Sequence, residues 1–533
     1  MLNFLNNIQA SKIYRSILKF RTTLAISSFL LIVFYIYQPC YLDYARRDHI
    51  IFIIDRNDYK NDIDWFKHAL SYTRNRKTSP GDYFLYRPGF YFLLAVNDIF
   101  LRTKPFITGM LSIALHLTTI LLLYFIFCRY FNKELAFPFS AIFASQYMGI
   151  EMIAWRHISF YMLSAILTIL SFLLLSSKIP KKHLLAGLLL FLGMTFHEII
   201  PVSAILLSFL LSITFILFGW NKFQNNSITT KFLFVLISAF SLYFLINFLN
   251  WRVTHPPSFL GPADHFSLKF NFFKNAALNF FHYLAVSTKA VFFPFSMHLG
   301  WEKSLDDWAY FSWDISKDNV FSCFAWALLA FVLLVLAVSI SLRKISILKD
   351  NLSEILTLWS CCGILLLTLM YSFMRLSLRN TGYSLISTYY YWFFALFYSI
   401  ITLYLINHAI QKITSANLKK TIILSLYCLS IFFTVLQCNQ ARDTLTKNYD
   451  LVWAQQINQA IDTSELFFKI HPDTCLDSSD AYLGVPPRKQ QYFTIPYYLY
   501  KYRCGWNQGT TTVHLMRTIN GITYFESGPF PNK

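Results

Sequence analysis

The sequence predicts an all-α polytopic membrane protein. It would be a bundle of about 11 transmembrane helices with a long first extracytoplasmic loop and a small extracytoplasmic C-terminal domain. Three observations carry that reading. Of 533 residues, 56% are hydrophobic and only 14% charged, a balance no soluble domain sustains. The apolar residues come in uninterrupted runs close to the ~20 residues a helix needs to cross a bilayer. The charges fall in short basic loops between those runs and in a few long polar segments.

The elements follow in order. Residues 1–21 carry Lys12, Arg15, Lys19 and Arg21 ahead of an apolar run over 22–38. Tyr37-Gln38-Pro39-Cys40 offers no small-residue cleavage site, so the run reads as an uncleaved first helix with a cytoplasmic N-terminus. Further spans are expected at 106–128, 134–150, 158–176, 183–199, 201–219, 231–248, 320–341, 355–374, 386–407 and 420–437. Alternate connections between them are short and basic. They hold Arg129 and Lys133; Lys178, Lys181 and Lys182; Lys222 and Lys231; Arg343, Lys344 and Lys349; and Lys412, Lys419 and Lys420. Basic loops stay in the cytoplasm, which fixes the orientation. The transmembrane domain spans 22–437. The loops 39–105 and 249–319 and the tail 438–533 fall outside the cytoplasm. Loop 39–105 is itself rich in Lys and Arg, but long loops translocate largely regardless of charge.

Segment 280–298 is apolar enough to dip into the membrane or lie on it, and its crossing would put every later basic loop on the wrong side. It is therefore assigned to the outside. In the tail, 447–461 reads as helical and the runs near 491–498 and 511–525 as strands. The tail holds Cys475 and Cys504, which an oxidising compartment would allow to pair as a disulfide. No metal-ligand spacing appears. The net charge of +19 is spread over many loops rather than gathered on one face, so a nucleic-acid partner is not expected.

Three polar constellations interrupt the apolar pattern. The first loop holds eight aspartates and no glutamate, among them Asp62-Ile63-Asp64 before Trp65, and it contains Tyr86-Arg87-Pro88. Aspartate is a common helix cap, and it is also a general base suited to deprotonating a hydroxyl. Tyr and Arg anchor helices at head-group level, and an arginine fork also grips a phosphate. The second constellation is Glu151-Met152-Ile153-Ala154-Trp155-Arg156-His157, between the third and fourth spans. The third is His197-Glu198, followed by Pro201, where the fifth span ends between apolar flanks. A carboxylate there is unfavourable unless paired or functional. All three project to the same face of the membrane.

The order of these motifs resembles the GT-C membrane glycosyltransferases, in particular the protein O-mannosyltransferase-like and tetratricopeptide-containing O-mannosyltransferase-like groups. The matching features are the acidic first loop, Arg87-Pro88, His116 within the next span, Glu151 four residues before Trp155, and His197-Glu198 before Pro201. The likeness covers roughly residues 20–300. The chain departs from those groups in placing Ile63 between its two aspartates, in carrying His197 where they carry lysine, and in lacking a tetratricopeptide array.

The resemblance implies transfer of a sugar from a polyprenyl-phosphate donor to a protein, lipid or glycan acceptor, in a bacterial inner (plasma) membrane. Asp64 or Asp62 would be the base, and Arg87 or Arg379 would hold the phosphate. Tyr86, Glu151, Trp155, His197 and Glu198 would bind or orient the substrates. A divalent cation is an optional cofactor of such chemistry. A polysaccharide polymerase or ligase and a lipid-linked glycan flippase are the alternatives. The flippase is disfavoured because no internal repeat or mid-membrane charge pattern is evident.

Overall fold

The computed structural model describes residues 12–40, 62–67, 87–100, 105–147, 149–154, 156–177, 179, 182–197, parts of 203–213, 234–246, 270–294, 298–299, 310–312, 320–345, 352–374, 386–448, 469–470, 474–476, 511–519 and 522–527. It is a multi-pass integral membrane protein. Among the described residues six helices are long and apolar enough to cross a membrane: Gly109–Phe131, Ile158–Ser176, Phe321–Ile345, Leu352–Leu369, Tyr390–Gln411 and Ala416–Thr446. Four shorter apolar helices accompany them: Thr22–Tyr37, Pro88–Asn97, Lys182–Met194 and Phe234–Ile246.

The main helices in chain order are α1 (Lys12–Tyr37), α2 (Pro88–Phe100), α3 (Pro105–Ile126), α4 (Ala136–Ala144), α5 (Ile150–Ala154), α6 (Met162–Ser176) and α7 (Lys182–Met194). They continue with α8 (Phe270–Phe292), α9 (Val320–Ile345), α10 (Leu352–Met374), α11 (Thr388–Gln411) and α12 (Ala416–Asn448). The expected span 134–150 is not one helix. It holds the nine-residue α4, a turn, and the start of α5. The turn falls at Ser145-Gln146-Tyr147, where the amides of Ser145 and Gln146 bond back to Ala141 and Phe143 and close the helix. Nine residues rise only about 13 Å, well short of the ~30 Å hydrocarbon core. The expected span 201–219 lies largely outside the described residues.

The interior is aromatic. Trp359 of α10 and Tyr391, Trp392, Phe397 and Tyr398 of α11 are fully buried, with Trp359 and Phe397 packed edge to face at 5.0 Å. By contrast α9 and α12 turn Phe321, Phe324, Phe331, Leu424, Phe432 and Val435 outward, as lipid-facing helices do.

The two ends of the bundle differ in character. At one end α3 runs into a π-helical turn, Phe127–Phe131, whose Tyr130 hydroxyl meets Ser176 at the end of α6 (2.9 Å). Asn132 bonds Asn407 near the end of α11 (3.3 Å), and Lys344 of α9 lies over the Tyr404 ring. Glu354, buried at the start of α10, accepts from Ser353 (2.7 Å) and Tyr404 (3.4 Å). Arg129, Lys133, Lys182, Arg343, Lys344 and Lys412 all belong to this end. The opposite end is where α7 finishes and α2, α6 and α11 begin.

Helix α8 carries residues 280–292 of the segment 280–298 assigned to the outside. It packs lengthwise against α9, α10 and α11 rather than lying apart from them. His282 faces Cys323 near the start of α9 (Nδ1 to Sγ 3.7 Å). Farther along, the Thr288 hydroxyl bonds that of Tyr398 (2.7 Å), and Phe292 packs on the same ring. Tyr398 lies ten residues into α11, about 15 Å from its start. Yet by His298 the chain has returned. Strand β1 (His298–Leu299) pairs with β2 (Tyr310–Ser312), and β2 pairs with β3 (Ile386–Ser387), which runs directly into Thr388 of α11. The helix therefore descends beside the spans and the chain comes back to the end it left.

In the tail, β4 (Thr474–Leu476) lies parallel to β5 (Thr511–Ile519), and β5 forms a hairpin with β6 (Ile522–Ser527), where the second strand-like run was expected. Cys475 sits on β4, while Cys504, its expected partner, lies outside the described residues. So do the run 491–498 and most of 447–461.

Candidate functional site

Arg87 stands where the first loop becomes α2. Its carbonyl accepts the first helical bond, from the Tyr91 amide at 3.1 Å. Pro88 fits the first helical position, where an amide hydrogen would have no partner anyway. Gly89 allows the helix to touch the end of α7. A Cβ on it would lie 2.2 Å from the Thr195 hydroxyl oxygen and 3.1 Å from the Phe196 ring. The Phe90 amide bonds the Thr195 carbonyl at 3.4 Å, closing the same seam. Arg87-Pro88-Gly89 and the chain before His197 are thereby brought side by side.

Tyr161 joins them. It ends a 3-10 turn, Arg156–Tyr161, that leads into α6. The Arg87 guanidinium donates from Nη1 to the Tyr161 hydroxyl oxygen at 2.6 Å and lies 5.1 Å from the ring centre, within cation–π range. The same ring meets His197 edge to face, 4.4 Å between centres. Phe90 packs on Tyr161 at 5.0 Å. Behind His197 stand Phe393 at 5.3 Å and Tyr390 at 5.6 Å, both from the first turns of α11. His197 is fully buried and Tyr161 nearly so, while Arg87 is half-buried. The guanidinium is thus the outermost group of a stack whose inner layers are aromatic.

The acidic segment docks on α2. Residues 62–67 form a short helix with Trp65 fully buried and Phe66 packed edge to face on Phe92 at 5.5 Å. Asp62 and Asp64 face outward, and Asp64 lies 3.8 Å from Lys67. Phe92 is five residues, about 7 Å of helical rise, from Arg87. Both aspartates are therefore carried, exposed, on a helix anchored near the arginine.

Glu151 lies on α5, whose neighbours Met152, Ile153 and Ala154 are buried. Tyr86, Trp155, Glu198 and Arg379 lie outside the described residues, as does the Glu151 side chain. His116 occupies the core. The Trp392 indole donates to its Nδ1 at 3.1 Å, which leaves the hydrogen on Nε2 to face the Ala144 carbonyl at 3.4 Å. This histidine ties α3, α4 and α11 together. Among the described residues no group of three His, Cys, Asp or Glu side chains is placed to hold a metal ion.

Sequence reasoning passed over Tyr161, Gly89, Thr195 and Tyr390. With 33 tyrosines in the chain, one more at a span edge carries no signal. No known protein family, no curated protein and no solved structure matches this chain.

Proposed function

We propose that this protein is a GT-C-type membrane glycosyltransferase that moves a sugar from a polyprenyl-phosphate donor to an extracytoplasmic acceptor. One observation carries the reading. Arg87 and His197, singled out separately and 110 positions apart, meet across Tyr161 at the end of the bundle remote from the basic one. By the positive-inside rule that end faces away from the cytoplasm, where lipid-linked sugars are consumed.

In the proposed reaction Asp64 or Asp62 takes the proton of the acceptor hydroxyl as its oxygen attacks the anomeric carbon. The bond from that carbon to the phosphate oxygen breaks through a transition state with oxocarbenium character. The electron pair leaves with the polyprenyl phosphate, whose growing charge the Arg87 guanidinium neutralises. His197, enclosed by Tyr161, Tyr390 and Phe393, supports the arginine from behind rather than touching the sugar.

The test is transfer from a polyprenyl-phosphate sugar by protein in detergent or membranes. Asp62→Asn and Asp64→Asn keep size and remove the proton acceptor. The change at the true base should lower transfer by roughly 10²-fold or more with expression intact. Wild-type transfer by both variants would remove the catalytic assignment. Lipid movement without a covalent product would point to the flippase.

A further inference from the structure

We infer that Tyr161 is the positioning residue for Arg87: its phenolic oxygen fixes the direction in which the guanidinium meets an anionic phosphate. The inference rests on the donor-binding role proposed above and adds a residue that the resemblance does not supply.

The argument begins with the contact. Nη1 donates to the hydroxyl oxygen at 2.6 Å, a direct hydrogen bond from a charged group. The acceptor is itself packed and hydrogen-bonded into the bundle. Phe90 and His197 hold the Tyr161 ring at 5.0 and 4.4 Å. Its backbone carbonyl accepts from the Ser164 hydroxyl at 2.6 Å. Two residues earlier, Ser159 meets Ser112 of α3 at 3.0 Å, which pins the turn to the bundle.

The consequence is entropic. A free arginine samples many rotamers, and binding must freeze them. Here the fork is already held by a packed partner, so less freedom remains to be lost when phosphate arrives. Burial sets the division of labour. Tyr161 is 7% exposed and stands behind a half-buried Arg87, so the guanidinium meets the ligand and the phenol acts through it.

The experiment uses full-length protein in detergent. Tyr161→Phe keeps the ring and its packing and removes only the oxygen. Two readouts are taken. The first is the rate at which phenylglyoxal modifies Arg87, followed by peptide mass spectrometry, with exposed Arg129 at the opposite end as internal control. Tyr161→Phe should raise Arg87 labelling several-fold and leave Arg129 unchanged, and polyprenyl monophosphate should protect Arg87 less well than in wild type. The second is transfer. The donor KM should rise about tenfold while kcat stays within about twofold, and the change should vanish in an Arg87→Lys background, where the fork is already lost.

Unchanged labelling, protection and KM in a folded Tyr161→Phe would overturn the inference. If that variant does not fold, the wild type decides, because Arg87 labelling as fast as Arg129 would equally overturn it. Tyr161-dependent labelling and protection in a protein that transfers no sugar would keep the positioning role and discard the transferase reading. Sugar transfer with a donor KM indifferent to Tyr161 would do the reverse.

Discussion

Gly89 and Thr195 touch so closely that no side chain fits between them: a Cβ on Gly89 would sit 2.2 Å from the Thr195 hydroxyl oxygen. That oxygen belongs to a hydroxyl bonded to the Leu192 carbonyl at 2.7 Å, so it does not swing aside without losing a bond. Gly89→Ala should therefore push the start of α2 away from α7 and shift Arg87 with it. The expected loss is about 1–3 kcal/mol of stability. The double variant Gly89→Ala/Thr195→Ala removes the colliding oxygen and should recover part of it. Thermal melting in detergent measures both, and a single variant that melts like wild type would refute the seam.

The His116–Trp392 bond gives a second expectation. Trp392→Phe leaves the buried Nδ1 without its donor and should lower stability by about 1–3 kcal/mol beyond the loss of packing. Replacing both partners by apolar residues, as in His116→Leu/Trp392→Phe, should be less damaging than the sum of the single changes. Additive melting shifts would show that the hydrogen bond contributes nothing.

Helix α8 makes a topological prediction. If the chain returns to the end it left, residues on both sides of the helix face the same compartment. Cysteines introduced at Ser267 and Ser304 should both react with a membrane-impermeant thiol reagent applied from outside. Reporters fused after Lys182 and Lys349 should register cytoplasm, and one after Lys447 outside. Opposite sidedness of the two cysteines would make α8 a full crossing and invert the later loops.

The buried carboxylate at the basic end yields a fourth. Glu354 accepts from Ser353 and Tyr404, with Lys344 over the Tyr404 ring. Glu354→Leu leaves the Tyr404 hydroxyl short of an acceptor, whereas Glu354→Gln keeps one. The leucine variant should melt below the glutamine variant, by a margin of about 1–2 kcal/mol. Because this pocket is at the opposite end from Arg87, both variants should keep the wild-type donor KM.

Much of this was legible beforehand, for identifiable reasons. The long apolar runs account for the six membrane-length helices among the described residues, short of the 11 expected, because length and hydropathy are local properties. Arg87 and His197 stood out because polar groups between apolar flanks are rare. Span 134–150 misled because hydropathy does not register that Ser145, Gln146 and Tyr147 close a helix. Tyr161 was invisible because its role is defined by partners 74 and 36 positions away, and no local pattern encodes such distances. The descent of α8 was foreseen only as one of two options, since composition alone cannot tell a helix among spans from one upon a surface.

The packing around His197 also has a consequence in time. Arg87 is made early, but Tyr390, which backs His197, follows 303 residues later (390 − 87). At ~5–20 residues per second, roughly 15–60 s of synthesis separate them. Throughout that interval the nascent chain has inserted its arginine without the wall that completes the cluster. A chain cut short before Thr388 is therefore incomplete at this cluster even though Arg87, Tyr161 and His197 are all present. Ribosome-bound fragments ending on either side of α11 would show when the cluster first closes.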